Sequence, residues 1–148
     1  MISPEMVLAL AAAIQDKCFT TKTKQNEDSR GWIIDSGCTR HMTGNKEFLE
    51  QAIRCRDKVT LADGRNVDVN VSGNGRFIGV GEDGRQTDVR LKEVLYVPEM
   101  KANILSVSRM LDEGLTVCFS SGICRILRGN DVVLIGERRG SLFIVKQP

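Results

Sequence analysis

Residues 32–44 read WIIDSGCTRHMTG, and this stretch places a carboxylate directly behind an apolar segment. The apolar residues 32–34 predict a buried strand, and Asp35 stands where that strand would end. Ser36 adds a small hydroxyl, and Gly37 lets the backbone turn sharply. An ordinary strand followed by an Asx turn has the same spacing, so the tripeptide alone is compatible with a plain turn or a catalytic carboxylate.

The length and the charge balance limit the classes of protein that fit. The chain has 148 residues, which is the size of one domain with a real core. Its 21 basic and 19 acidic residues leave a formal charge of +2, and they form no basic block that would track phosphates. Aromatic residues make up only 5%, which argues against a nucleic-acid accessory protein because such proteins need stacking platforms.

Cysteine and histidine usage argues against a disulfide framework and against a metal site. The five cysteines form an odd set without a C-x-x-C pair, so a reducing compartment is the simpler interpretation. They are Cys18, Cys38, Cys55, Cys118 and Cys124. The chain has 1 histidine, His41, and we therefore expect no zinc site and no other cofactor. The longest apolar run, residues 6–14, is too short to span a bilayer.

The first 30 residues have a different character from the rest of the chain. Ser3 suits a helix N-cap, Pro4 suits the first turn, and Glu5 suits the positive end of the helix dipole. The alanine-rich run that follows predicts an N-terminal helix to about Asp16. Residues 20–30, TTKTKQNEDSR, are polar and predict a linker or a mobile arm.

From residue 31 onward, short β-branched segments alternate with glycine turns, which predicts an all-β domain. Turns at Asp63-Gly64 and at residues 81–85 predict two hairpins. Residues 106–114 predict a short late helix, with Ser106 as its N-cap and Gly114 as its stop. Strands are predicted at residues 32–34, 59–61, 67–71, 77–80, 87–91, 94–97, 115–119, 123–127, 132–135 and 142–145.

Two separate motifs resemble those of retropepsin-like aspartic proteases. Asp-Ser-Gly at residues 35–37, after two large aliphatic residues, resembles the D-[ST]-G signature. Ile104, Leu105 and Ser106 then lead into the predicted helix and resemble the second signature. With VTLADGR, VLYVPEMKANILSVSRMLDEG and VCFSSGICRI in order, residues 31–145 resemble the protease region of copia-type retrotransposon polyproteins.

This resemblance implies a fold and a domain organisation. It implies an all-β, retropepsin-like subunit, closed like a β-barrel, over residues 31–148, whose last segment GSLFIV resembles the start of the pre-integrase segment. Residues 1–30 would be a helix and a linker from the upstream gag region. Ser106 stands where retroviral proteases usually have Gly, and it resembles the copia-type form of the motif. Cys38 stands where Ala is usual, and His41, in the family pattern after the turn, is interpreted as structural.

The catalytic interpretation requires two chains. Peptide hydrolysis by carboxylates needs two of them facing one water, one ionised and one protonated. The sequence has one D-[ST]-G, and the Asp-Gly pairs at Asp63 and Asp83 lack a preceding buried run. We therefore expect a homodimer in which each subunit contributes Asp35. Ser36 would brace the two turns, and Gly37 would let them approach each other.

The resemblance also implies a flap and a substrate class. The substrate would be an extended peptide within a polyprotein, held by main-chain hydrogen bonds under mobile hairpins. A competing flap lies at residues 72–79, SGNGRFIG, which are also rich in glycine. The preferred flap consists of Leu61, Ala62, Asp63, Gly64 and Arg65.

The implied function is processing of a gag-pol polyprotein in cytoplasmic virus-like particles. We expect no membrane partner, and no direct nucleic-acid binding by this chain because the zinc knuckle of such polyproteins is not in it. The alternative is a catalytically silent, host-retained dimeric β-domain that serves as a protein-interaction module. The intact Asp35 favours activity, since a binding module has no chemical need for that carboxylate.

Overall fold

The computed structural model describes residues 17–18, 31–61 and 63–148. The N-terminal helix predicted up to Asp16, the predicted linker at residues 20–30 and Ala62 of the preferred flap lie outside the described residues. Everything that follows concerns the described part of the chain.

The described part forms one 11-stranded sheet and one α-helix, which confirms the predicted all-β class with a short late helix. A single 3-10 turn, Lys46–Phe48, precedes the fourth strand. The helix is α1 (Val107–Asp112). The strands are β1 (Lys17–Cys18), β2 (Trp32–Asp35), β3 (Met42–Thr43), β4 (Glu50–Leu61), β5 (Asn66–Val80), β6 (Gln86–Tyr96), β7 (Asn103–Ser106), β8 (Thr116–Phe119), β9 (Ile123–Arg128), β10 (Asp131–Arg139) and β11 (Leu142–Val145).

The strand order is β1-β4-β5-β6-β3-β7-β2-β11-β10-β9-β8. Two antiparallel meanders, β4–β6 and β8–β11, therefore flank a short central part in which β2 pairs in parallel with β7. The two meanders also meet each other, because the Val80 N–H donates to the Lys146 carbonyl at 3.0 Å and the Thr87 hydroxyl donates to the Val133 carbonyl at 2.6 Å. The sheet is thus rolled up on itself like a barrel.

Strand β2 is buried on both faces, which explains why its sequence is continuously apolar rather than alternating. The side chains of Trp32 and Ile34 point into one hydrophobic cluster, and that of Ile33 points into the other. Trp32 stacks on Phe77 with ring centroids 4.9 Å apart and lies 5.1 Å from the ring of Phe48. The strand that carries Asp35 is thereby anchored from two sides.

The competing flap at residues 72–79 is wrong, because this segment lies inside β5 and pairs with both β4 and β6. Its glycines serve close packing rather than a turn. A Cβ atom on Gly75 would overlap the ring of Phe48, and one on Gly73 would come within 2.9 Å of the Glu50 carbonyl oxygen. A glycine-rich stretch is therefore compatible with a central strand where a neighbouring chain or ring approaches closely.

The predicted helix at residues 106–114 is confirmed together with both of its ends. The Ser106 hydroxyl accepts a hydrogen bond from the Arg109 N–H at 3.2 Å, as an N-cap does. Gly114 follows the helix with a φ of +85°, a conformation that glycine adopts without steric cost. The helix begins at the end of β7, so the second motif is a strand followed directly by a helix N-terminus.

Candidate active site

The fold brings the two sequence motifs into contact. Strands β2 and β7 run in parallel, so that Ile33 is opposite Ile104 and Asp35 is opposite Ser106. Both strands are buried along their whole length. The candidate catalytic carboxylate therefore leaves the sheet beside the residue that caps α1.

The carboxylate of Asp35 is 7% exposed and is bound by its own turn. Its Oδ1 accepts a hydrogen bond from the Gly37 N–H at 2.7 Å, and its Oδ2 accepts one from the Cys38 thiol at 3.4 Å. The first of these bonds is the Asx turn that the sequence allowed as an ordinary interpretation. The turn and the candidate catalytic group are thus the same structure, because the bonds that form the turn also orient the carboxylate.

The rest of the turn is buried and connected to the second motif. Ser36 is 9% exposed and Cys38 is 0% exposed. The Ser106 hydroxyl donates to the Cys38 carbonyl at 2.6 Å while it caps α1. Ser106 therefore acts as a bridge between the helix and the segment that holds Asp35.

His41 supplies a second bridge to Ser106. Its imidazole is 2% exposed, and its Nδ1 accepts a hydrogen bond from the Ser106 N–H at 2.9 Å. Burial, with smaller contributions from the positive charges of Arg109 and Arg40, lowers the pKa of His41 to about 4. The ring is neutral at pH 7 with its proton on Nε2, and the geometry agrees with the structural role predicted for it.

A chain of charged side chains that no sequence pattern predicted lies behind the turn. Arg40 pairs with Asp57 of β4 at 2.8 Å and with Glu93 of β6 at 3.5 Å, and Glu93 also pairs with Arg109 of α1 at 3.0 Å. Glu93 has a φ of +56°, which is uncommon for a residue with a Cβ. Sequence patterns do not predict these pairs, because the paired residues belong to four segments that come together only in the folded domain.

The turn between β4 and β5 carries the preferred flap. The Leu61 N–H donates to the Arg65 carbonyl at 2.8 Å, and the Gly64 N–H donates to the Leu61 carbonyl at 2.9 Å. Gly64 has a φ of +90°, and Asp63 accepts hydrogen bonds from the backbone N–H and the guanidinium of Arg65. The base of this hairpin is fixed, since Leu61 is 0% exposed and lies in the same hydrophobic cluster as Cys38.

Metal binding and thiol chemistry have less support among the residues that the structure describes. No group of three or more His, Cys, Asp or Glu side chains that could hold a metal ion occurs in residues 31–61 and 63–148. Burial raises the pKa of the Cys124 thiol to about 12, with a further contribution from Cys118, so it is not a thiolate at neutral pH. None of the helices among the residues described is both long enough and apolar enough to cross a membrane.

Known proteins similar to this chain come from retrotransposons. It is 31% identical over 94 residues to the retrovirus-related Pol polyprotein from transposon RE1 of Arabidopsis thaliana, covering 62% of this chain and 6% of that protein. The retrovirus-related Pol polyprotein from transposon RE2 of the same plant is 32% identical over 85 residues, which cover 56% of this chain and 6% of that protein. The corresponding polyprotein from transposon TNT 1-94 of Nicotiana tabacum is 23% identical over 133 residues, which cover 87% of this chain and 9% of that protein.

The chain thus spans less than a tenth of the length of each of these three relatives. No solved structure shows significant similarity to it. The family model described as "Pol polyprotein, beta-barrel domain" matches residues 32–115, from the first residue of β2 to the end of α1 and its glycine stop. Because this match spans more than half of the sequence, the chain belongs to the family of retrotransposon Pol polyprotein beta-barrel domains.

Proposed function

We propose that this domain is an aspartic endopeptidase that acts as a homodimer and processes a retrotransposon Pol polyprotein. The observation that carries the proposal is the position of Asp35, buried at the end of β2 directly opposite Ser106 at the start of α1. The two motifs whose sequences resemble aspartic protease signatures are far apart in the chain, and they meet at this carboxylate.

The bonds around Asp35 suit a carboxylate that must stay in place during a reaction. Donors from Gly37 and Cys38 engage one oxygen each, so the direction of the carboxylate is fixed from both sides. An oriented carboxylate loses little conformational freedom when a substrate arrives.

The proposed reaction uses the Asp35 side chains of two subunits. The ionised carboxylate removes a proton from water, and the water oxygen forms a bond to the scissile carbonyl carbon. The protonated carboxylate donates its hydrogen to the carbonyl oxygen, which gives a neutral tetrahedral intermediate. The carboxylate that took a proton from water then gives it to the amide nitrogen as the C–N bond breaks. The other carboxylate removes a proton from a hydroxyl of the intermediate, which becomes the new carboxyl group, so the pair again holds one proton.

A dimer is required because the other Asp-Gly turns do not supply the second carboxylate. Asp63 and Asp83 each accept a hydrogen bond from a backbone N–H of their own exposed hairpin turn, that of Arg65 or Arg85. Each turn lies at the tip of a hairpin, whereas Asp35 lies in the central part of the sheet. A two-fold axis beside Asp35 would bring together two identical turns, which is an isologous interface.

The substrate in this proposal is an extended segment of a polyprotein. The β4–β5 turn would fold over it as a flap, with the mobility that Gly64 allows, and the substrate backbone would pair with strand edges of the dimer. The relatives are named as Pol polyproteins, which supports a polyprotein substrate. The proposal includes processing in cytoplasmic virus-like particles, as the sequence resemblance implies. The proposal includes no membrane partner and no direct nucleic-acid contact.

The test is incubation of a Pol polyprotein that contains this domain, in wild-type form and with Asp35→Asn. We expect defined fragments from the wild type and none from the variant. Asp83→Asn is the matched control, because it removes an exposed turn carboxylate outside the proposed flap and should leave the fragments unchanged. Fragments that persist with Asp35→Asn contradict the proposal, and tight peptide binding without any cleavage favours the silent interaction module instead.

A further inference from the structure

The thiol of Cys38 has a contact that the proposed reaction does not yet use. Its Sγ lies 3.4 Å from Oδ2 of Asp35 and donates a hydrogen bond to it. Cys38 is 0% exposed, so the contact is shielded from bulk water. A hydrogen bond in such surroundings is electrostatically stronger than the same bond at the surface.

The position of Cys38 is fixed by two further features. Its carbonyl accepts a hydrogen bond from the Ser106 hydroxyl at 2.6 Å, which ties its backbone to the N-terminus of α1. Its side chain lies in the hydrophobic cluster that contains Ile33, Met42 and Ile104. The thiol therefore cannot turn away from the carboxylate without leaving a packed environment.

We infer that Cys38 is a positioning residue of the protease site, whose thiol hydrogen bond orients Oδ2 of Asp35 and stabilises the ionised carboxylate. The inference rests on the proposed function for its catalytic consequence, but the hydrogen bond itself can be measured without any activity. The proposed role is distinct from that of a nucleophile, because the sulfur forms no bond to substrate and the Asp35 oxygens do the proton transfer.

The chemistry of the position explains why a thiol fits it. Alanine would fill the apolar cluster but would donate nothing to Oδ2. Serine would donate more strongly but would place a hydroxyl, which is more polar, against the same apolar neighbours. Cysteine behaves as a small hydrophobic side chain with a weak S–H donor, and the site has an apolar side and a carboxylate side.

The proposed role of Cys38 has a consequence for catalysis, on the acidic side of the dependence of kcat/KM on pH. A donor to a carboxylate favours its ionised form over its protonated form. In the proposed pair, one carboxylate must be ionised to accept the proton of water. Loss of the Cys38 donor should therefore move the acidic limb of kcat/KM to higher pH, and a serine at the position should restore it.

The first experiment reads the hydrogen bond directly, by the infrared S–H stretching band of the folded protein. Cys38→Ala or Cys38→Ser identifies the band by difference, so that either variant suffices if the other fails to fold. In Asp35→Asn the band should move to higher frequency, because the amide oxygen stays on the Gly37 N–H and the amide NH2, which accepts no hydrogen bond, replaces Oδ2 opposite the thiol. A Cys38 band that stays in place in Asp35→Asn overturns the inference.

Cys55 provides the matched control for both measurements. Cys55 lies in β4 and is partly buried, and its thiol donates to the Val69 carbonyl of β5 at 3.7 Å. The Cys55 band, identified with Cys55→Ala, should not respond to Asp35→Asn, and Cys55→Ala should leave the pH profile unchanged. A response of both thiols alike would indicate a general structural change and would contradict the specific contact.

The second experiment measures kcat/KM against pH on a peptide that the wild type cleaves. We expect Cys38→Ala to move the acidic limb to higher pH, because the carboxylate loses a donor that favours its ionised form. Cys38→Ser should return the limb to the wild-type position or below it. An unshifted limb in Cys38→Ala contradicts the catalytic role. If the wild type cleaves nothing, the proposed function fails, while the infrared result still decides whether the thiol contact exists.

Discussion

Asp35 and Ser106 lie opposite each other at the ends of two parallel strands, and both are joined to Cys38. The Cys38 thiol donates to the Asp35 carboxylate, and the Cys38 carbonyl accepts from the Ser106 hydroxyl. The carboxylate, the turn and the helix N-terminus are therefore one hydrogen-bonded unit. A substitution in any one of these three parts should therefore also affect the other two, and this can be tested by mutation.

Ser106→Ala should destabilise the domain by about 1–3 kcal/mol, because it removes an N-cap and leaves the buried Cys38 carbonyl without its 2.6 Å donor. Urea unfolding measures the change. Ser120→Ala is the control, since its hydroxyl donates to the Ile123 carbonyl in an exposed turn and should contribute less than about 0.5 kcal/mol. Equal losses in the two variants would contradict the bridging role of Ser106.

His41 should make stability depend on pH. Its folded pKa is about 4 and its ordinary value is 6.5, so the unfolded chain binds the proton first as the pH falls. The contribution is fully present above pH 6.5, is lost as the pH falls from 6.5 towards 4, and changes no further below that. The total is about 3 kcal/mol, and urea unfolding at several pH values measures it.

His41→Asn should remove the part of this pH dependence that lies above pH 5, where few carboxylates titrate. The variant is also expected to be less stable at pH 7, because the buried Ser106 N–H depends on His41 Nδ1. A slope between pH 5 and 6.5 that persists unchanged in His41→Asn would assign the effect to other groups. The same titration sets a lower limit to the pH at which the proposed protease stays folded.

Arg40 and Asp57 should be energetically coupled, because this pair joins the segment after the active-site turn to β4. Their side chains are 24% and 34% exposed. A double-mutant cycle with Arg40→Ala and Asp57→Ala should give about 0.5–1 kcal/mol. The Arg76–Asp88 pair is equally short at 2.7 Å but has a more exposed arginine, at 54%, and we expect weaker coupling that salt screens more fully. Stronger coupling in the exposed pair would contradict this ranking.

Gly75→Ala should destabilise the domain by about 1–3 kcal/mol, because the new methyl group would overlap the Phe48 ring that packs on Trp32. Gly122→Ala is the control, since nothing lies within 4 Å of the added atom and its φ is not in the left-handed region. Thermal unfolding of the two variants measures the difference. Tolerance of alanine at Gly75 would indicate that β5 is not held against Phe48.

Mixing wild-type protein with Asp35→Asn should lower proteolytic activity if each subunit supplies one carboxylate. Random pairing of equal amounts leaves the activity at about half of that shown by the same quantity of wild type alone. The measurement is peptide cleavage after subunit exchange, and Asp83→Asn as the mixing partner should cause no such loss. Activity that is unaffected by an excess of Asp35→Asn would mean that one chain is sufficient.

Local patterns in the sequence were enough to predict most of the strands and the helix. Residues 32–34 are continuously apolar, and Ser106 and Gly114 are typical helix ends, so both elements could be recognised from neighbours along the chain. The hairpin turns at Gly64 and Gly84 were predictable for the same reason, since both have positive φ values that favour glycine. Such signals depend on bonds between residues that are close in sequence.

The wrong flap prediction and the contacts that the sequence did not predict have one physical cause. Residues 72–79 have the composition of a loop, but Gly73 faces the β4 backbone, Gly75 faces Phe48 and Gly79 faces Leu134, all of them distant in sequence. The Arg40–Asp57 pair, the His41–Ser106 bond and the Cys38–Asp35 bond depend on side-chain directions, and no local pattern encodes them.

Residues 35–37 therefore specified a turn with a carboxylate in it, because an Asx turn is made by adjacent residues. The chain alone could not specify which groups surround that carboxylate. Folding β7 beside β2 placed Ser106 next to Asp35, and packing of Cys38 in the hydrophobic cluster directed its thiol at Oδ2. These contacts are long-range or depend on burial, so they arise only when the sheet has rolled up around its core.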